Sequence, residues 1–176
     1  MRHVAFIRNV MQGRRGLTRA LLLETFAEAG AAEVETFLTT GNVVFTPAES
    51  RSSGLIGRVA ARLEDRICLR EPVFVRTLDD LRAAGDPFAG VSLDGVRERC
   101  VTFLPEAHTP LPPLPLTSRR GDVEVFAASG REVYSLTRLI GGRTGSPGAL
   151  IEGLTGTPVT SRNWNTVERL LHRFDS

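Results

Sequence analysis

The sequence predicts an α+β protein built from two ferredoxin-like βαββαβ-type lobes with antiparallel sheets, the second lobe lacking its first helix. Three observations carry this. Residues 3–76 read in the order strand, helix, hairpin, helix, strand, which is the split βαβ arrangement. A second hairpin resembles the first: VETFLTTGNVVF at 34–45 and VEVFAASGREVY at 123–134 agree at five of twelve positions, with Phe45 set against Tyr134. The flanking segments also match in order. V-x-F precedes each hairpin, at Val4 to Phe6 and Val101 to Phe103, and P-V-x-x-R follows each, at Pro72 to Arg76 and Pro158 to Arg162. Such internal similarity implies one supersecondary plan used twice. The expected division is 1–78 for the first lobe, 79–98 for a connecting helix and loop, and 99–176 for the second lobe.

Each element has a local reason. Residues 3–8 are a short apolar run and read as a buried strand. Thr18 suits a helix N-cap and Gly30 a C-terminal stop, which brackets a helix with Leu22, Leu23, Phe26 and Ala27 on its apolar face. Gly41-Asn42 between two β-branched runs signals a hairpin turn. Leu55, Val59, Leu63 and Ile67 recur every fourth residue and predict a helix over about 54–69. Asp79 and Asp80 favour the start of a short helix near 79–85. Residues 100–104 read as a strand. The five prolines between Pro105 and Leu116 dictate an extended loop. Its Pro-Leu-Pro-Pro-Leu-Pro run could serve as a polyproline ligand, but in a chain without other signalling features it reads as a rigid surface connection. A second hairpin turns at Gly130-Arg131, a short helix covers about 148–154, and Thr157 to Thr160 reads as a strand. The last helix, about 163–174, carries Trp164, Val167, Leu171 and Phe174 at helical spacing.

Composition narrows the function classes. The chain has 176 residues and a net charge of +2, which by itself selects no partner. No apolar run approaches the ~20 residues that span a bilayer, and the start lacks the long apolar stretch of a signal peptide. A cytoplasmic protein with no membrane association is expected. Cys68 and Cys100 form no C-x-x-C pair and read as reduced core residues. His3, His108 and His172 have no metal-ligand spacing, so no metal or other cofactor is expected. No nucleophile elbow, zinc-protease, Walker or dinucleotide-binding pattern is present, and no catalytic residue is assigned.

Charge distribution says more than net charge. The first 23 residues hold Arg2, Arg8, Arg14, Arg15 and Arg19 and no acid. Every one of the 22 basic residues is arginine, a compositional bias that lowers the weight of any single arginine as a phosphate ligand. Three polar clusters stand out. One is Arg8, Asn9, Gln12, Arg14 and Arg15, between strand and helix. The second is the hairpin tip with Thr40 and Asn42. The third is Thr160 to Thr166, with Arg162, Asn163 and Asn165. Helix-capping accounts for part of the third, since Asn165 and Glu168 have capping-box spacing. Arg58, Arg62 and Arg66 line one face of the second helix; such a stripe could track a phosphate backbone, but Glu64 and Asp65 interrupt it, and it reads as a solvated face.

Arg8-Asn9-Val10 with Gly13, Thr-Gly-Asn-Val-Val-Phe at 40–45 and Thr160-Ser-Arg-Asn-Trp-Asn-Thr166 resemble the bacterial family called domain of unknown function 1697. The resemblance runs along essentially the whole chain. It implies two ferredoxin-like lobes and no established activity. This chain departs from the family's usual pattern at Met11, where a second asparagine is common, and at Thr40, where serine is frequent. The second change keeps the hydroxyl and the first loses a polar contact.

In a βαββαβ lobe, strand one lies antiparallel beside strand three, so the end of 3–8 should meet the hairpin tip. Topology alone then brings the first two polar clusters together. The expected site binds an anionic or phosphorylated small molecule, with Arg8 supplying charge and Asn9, Gln12, Thr40 and Asn42 orienting the ligand. An enzyme using arginine, asparagine and threonine side chains is the alternative, although these supply no general base at neutral pH. A nucleic-acid-binding or purely structural module is the third reading. With one Tyr, one Trp and nine Phe and no RNA-recognition sheet motif, nucleic acid has weaker support than a small anion.

Overall fold

A computed structural model describes residues 1–48, 53–107 and 109–175; His108 therefore lies outside the described residues. The chain divides into two compact units, Met1–Ala83 and Ala84–Ser176. Both are α+β with antiparallel sheets, one of four strands and one of five. No helix among the described residues is long and apolar enough to cross a membrane.

The first unit runs β1 (His3–Ile7), α1 (Arg19–Ala29), β2 (Ala31–Phe37), β3 (Asn42–Pro47), α2 (Leu55–Ile67), β4 (Val73–Thr77) and α3 (Leu78–Ala83), with sheet order β2-β3-β1-β4. Thr18 caps α1, its hydroxyl accepting from the Leu21 N–H at 3.1 Å. Gly30 ends α1 at φ 103°, a conformation that a side chain would oppose. Ala5, Ile7, Val43 and Phe45 from the sheet pack with Leu22 and Phe26 of α1 and Leu55, Val59 and Leu63 of α2. Full burial of each large apolar side chain here contributes roughly 1.5–3 kcal/mol.

The arginine face of α2 is neither a phosphate track nor simply solvated. Arg58 donates to the Ala29 carbonyl at 2.9 Å and to the Ser53 carbonyl at 2.8 Å. Arg62 and Arg66 both reach Glu28 of α1, at 3.2 and 2.7 Å. Those hydrogen bonds, from Arg66 first, hold the Glu28 carboxyl below its ordinary range. Cys68 also departs from expectation. It is exposed, and it ends α2 in the left-handed region at φ 54°. Only Cys100 is buried.

The second unit runs β5 (Val96–Phe103), β6 (Leu116–Thr117), β7 (Val123–Ser129), β8 (Glu132–Arg138), α4 (Pro147–Thr155), β9 (Thr160–Asn163) and α5 (Trp164–Arg173). Its sheet order is β6-β7-β8-β5-β9. Leaving out β6, the order β7-β8-β5-β9 matches β2-β3-β1-β4 strand for strand, so the two hairpins hold corresponding places. Residues 79–98, read from sequence as a connection, are shared between the units. Leu78 and Leu81 of α3 are buried. Phe88 is buried against Phe126, Tyr134 and Trp164, with ring centroids 5.4, 6.0 and 5.8 Å away.

Register refines the hairpin comparison. Val4 pairs with Val44 and Arg76, while Val101 pairs with Tyr134 and Arg162. Tyr134 thus corresponds to Val44 rather than Phe45. Loop length is the reason. Phe37 pairs with Asn42 across four residues, whereas Ser129 pairs with Glu132 across two.

Among the described residues no helix stands between β5 and β7. The proline-rich segment takes that place, with Leu111, Leu114 and Leu116 packed against the core of Leu104, Val123, Val125, Val133, Ile151 and Val159. The leucines turn inward and Pro112, Pro113 and Pro115 are exposed. The segment is a core-covering strap, which commits the leucines that a polyproline ligand would present. The strand expected at 157–160 lies three residues later, at Thr160–Asn163.

Candidate functional site

The end of β1 meets the tip of the β2–β3 hairpin. Phe6 pairs with Asn42, and the Ile7 N–H donates to the Gly41 carbonyl at 2.9 Å. Beyond β1 the loop stays in contact. The Gln12 N–H donates to the Thr39 carbonyl at 2.8 Å, and Gln12 Nε2 to the Leu38 carbonyl at 3.2 Å. A Cβ on Gly41 would collide with Val10 and press on Ile7, and φ is 73° there. Only glycine lets the tip and the loop approach this closely.

Backbone strain gathers at the same edge. Five non-glycine residues among those described have positive φ, and three are here: Asn9 at 54°, Arg15 at 51° and Leu38 at 56°. Arg15 and Leu38 each cost on the order of 1–2 kcal/mol there, and asparagine tolerates the conformation more readily. Strain of this kind persists only where surrounding structure enforces it, and it concentrates at ligand clamps and switch regions.

The expected site residues divide. Arg14 and Arg15 are exposed and have no side-chain partner among the described residues. A turn holds them, with the Arg14 N–H donating to the Met11 carbonyl at 3.2 Å and the Leu17 N–H to the Arg14 carbonyl at 2.9 Å. Asn9 is exposed and Gln12 half-buried. α1 begins just beyond them with no acid in its first turn, so its N-terminal positive potential is uncompensated. Arg8 is spent differently. Its Nη1 donates to Glu71 Oε2 at 3.0 Å, and its N–H to the Pro72 carbonyl at 3.1 Å. It pins the loop to the segment entering β4, so the role of main ligand charge falls away from it. The sequence held no signal for Glu71, which lies 63 residues on and outside every motif.

Asn42 is corrected as well. It is not a turn residue but the first of β3, and it is fully buried. Its Nδ2 donates to the Phe37 carbonyl at 3.0 Å and to Thr40 Oγ1 at 3.2 Å. It clamps the hairpin and presents nothing outward. Thr40 is half-buried and accepts that bond. Sequence reasoning also missed Met11 and Leu38, large apolar side chains 42% and 41% exposed on the two joined loops.

The C-terminal cluster belongs to the second unit and has local duties. Arg162 Nη1 donates to Thr160 Oγ1 and to the Ser161 carbonyl, both at 2.8 Å. Burial lowers its pKa to about 10, still charged at neutral pH. Asn163 caps α5, its Oδ1 accepting from the Asn165 N–H at 3.0 Å. Asn165 and Glu168 do not form a capping box. Both accept from Arg99 Nη2, at 2.7 and 2.8 Å, while the Arg99 guanidinium lies over Phe88. Trp164 is core, 2% exposed.

Among the described residues no group of His, Cys, Asp and Glu could hold a metal ion. The first-unit edge offers cations, amides and hydroxyls, a set that recognises negative charge and supplies no general base.

A family model described as "Protein of unknown function (DUF1697)" matches residues 1–134. The chain belongs to this family. The match takes in the whole first-unit edge and stops before the C-terminal motif at 160–166. Among solved structures, the chain is similar to the conserved bacterial protein SP0830 from Streptococcus pneumoniae. Identity is 13%, the alignment covers 99% of this chain and 98% of that one, and the TM-score is 0.67. That likeness shows the fold. No curated protein matches.

Proposed function

We propose that this member of the DUF1697 family binds an anionic, phosphate-bearing small molecule at the edge formed by residues 9–16 and the hairpin tip 38–41. Arg14 and Arg15 supply the charge, Asn9 and Gln12 orient the ligand, and Arg8 holds the loop in place. The observation that carries the reading is the union of two loops by the Gln12–Thr39 hydrogen bond, with two unpartnered arginines on the joined surface. The acid-free first 23 residues add to it.

Other readings draw less support. Residues 9–16 and 38–41 contain no aromatic side chain, so stacking of nucleic-acid bases has no platform there. An enzyme at this edge would need its base from the ligand. Two related ferredoxin-like lobes, arising as an internal repeat, fit the matching strand orders. A cytoplasmic setting fits two unpaired cysteines.

Calorimetric titration with pyrophosphate at low salt is the test. Binding should be saturable, weaken with added salt because the cations are exposed, and fall at least about tenfold in Arg14→Ala/Arg15→Ala, the loss of roughly 1.4 kcal/mol. Equal binding by the double variant would refute the assignment.

A further inference from the structure

The first unit holds a second feature at the other end of its sheet. A cavity of about 480 Å³ is lined by Met1, His3, Phe45, Pro47, Leu55, Ile56 and Val75. His3 pairs with Phe45 and Thr77, at the end of β1 away from Arg8. Four residues of extended chain separate His3 from Ile7, roughly 13 Å. The cavity is therefore distinct from the edge discussed above and independent of that reading.

Its size is in the range of small-molecule pockets, and its walls suit an apolar body. Phe45, Leu55, Ile56, Pro47 and Val75 are hydrocarbon. The imidazole of His3 stacks on the Phe45 ring, centroids 5.7 Å apart and planes 27° apart. His3 is the one strongly hydrogen-bonding side chain in the lining.

The direction of that hydrogen bonding follows from its partner. His3 Nδ1 lies 3.2 Å from the Met1 carbonyl oxygen. A carbonyl can only accept, so Nδ1 carries the proton. In the neutral ring Nε2 then holds a lone pair and acts as an acceptor. Nε2 has no partner among the described residues. A ligand that pairs with Nε2 must bring a donor of its own, and the apolar side chains around it favour a hydrocarbon body.

We propose that this cavity binds a small apolar alcohol of the phenol class, its ring against Phe45, Leu55, Ile56 and Val75 and its hydroxyl donating to His3 Nε2. An apolar body without a donor buries the imidazole lone pair unpaired and is discriminated against. A carboxylate lacks the proton that the neutral ring requires.

The test compares 4-propylphenol with 4-propylanisole, its methyl ether, by ligand-observed NMR and calorimetry at pH 8. The ether keeps the shape and removes the donor. The wild-type protein should bind the phenol at least tenfold more tightly than the ether. His3→Phe preserves an aromatic ring over Phe45 and should bring the two ligands to equal affinity. Ile56→Trp, at a half-buried lining position, should fill the space and abolish binding of both, with circular dichroism confirming the fold. Equal affinities in the wild type, or a preference that survives His3→Phe, would overturn the assignment of the hydroxyl to His3. No binding of the phenol, or unchanged binding by a folded Ile56→Trp, would overturn the cavity as its site.

Discussion

The Gln12 N–H donates to the Thr39 carbonyl at 2.8 Å, joining the loop after β1 to the tip of the β2–β3 hairpin 27 residues later. The junction is close because Gly41 has no side chain. Gly41→Ala should force Val10 aside and place a Cβ at φ 73°. The expected loss is about 2–4 kcal/mol, combining left-handed strain with overpacking. Urea unfolding measures it; a loss under about 1 kcal/mol would mean the two loops are not held as described.

Asn42 is a structural residue of the same hairpin. Asn42→Ala removes the bonds from a buried amide to the Phe37 carbonyl and the Thr40 hydroxyl, and should cost about 1–3 kcal/mol. Pyrophosphate affinity of the folded variant should change little, since the side chain is fully buried. A selective loss of affinity without a loss of stability would return Asn42 to the ligand set.

Arg8 and Glu71 are both about four-fifths buried as side chains, 23% and 20% exposed. A double-mutant cycle with Arg8→Ala and Glu71→Ala should show a coupling near the upper end of the surface range, about 1 kcal/mol. A coupling of zero would show that Arg8 does not pin the loop through this pair.

The two cysteines should separate in a thiol-labelling experiment. Cys68 is exposed and should react with Ellman's reagent in the native state. Burial, reinforced by Glu98, pushes the Cys100 thiol up to about 12. It therefore stays protonated and unreactive from pH 7 to 9, and should react only on unfolding. Two fast-reacting thiols would contradict its burial. Because Cys68 sits at φ 54°, Cys68→Gly should leave stability unchanged or raise it by up to about 1 kcal/mol.

The fold was legible in the sequence where periodicity and caps agreed. Thr18, Gly30 and the fourfold spacing of Leu55, Val59, Leu63 and Ile67 set α1 and α2 to within a residue or two. The convergence of β1's end with the hairpin tip was legible too, because strand adjacency in a βαββαβ order fixes it. What failed was local chemistry. Gly41-Asn42 has the residues of a two-residue turn, but Leu38 takes the left-handed conformation and widens the loop to four. That shift turns Asn42 from the tip into the buried first position of β3.

Long-range partners were illegible for a simpler reason. Glu71 beside Arg8, Arg99 beside Asn165 and Glu28 beside Arg66 are pairs set by tertiary packing, and no periodicity encodes them. No such side-chain partner reaches Arg14 or Arg15 among the described residues. The proline-rich stretch was read correctly as an extended connection, yet its leucines supply core that a helix would otherwise give. Composition marks the prolines, and only packing reveals the inward side.

The central claim is that Arg14, Arg15 and the joined loops recognise a phosphate-bearing ligand. The most direct measurement is an amide chemical-shift titration of the ¹⁵N-labelled protein with pyrophosphate. Saturable shifts confined to residues 8–21 and 38–42, and absent in Arg14→Ala/Arg15→Ala, are the predicted result. Shifts lying elsewhere, or persisting undiminished in the folded double variant, would contradict it.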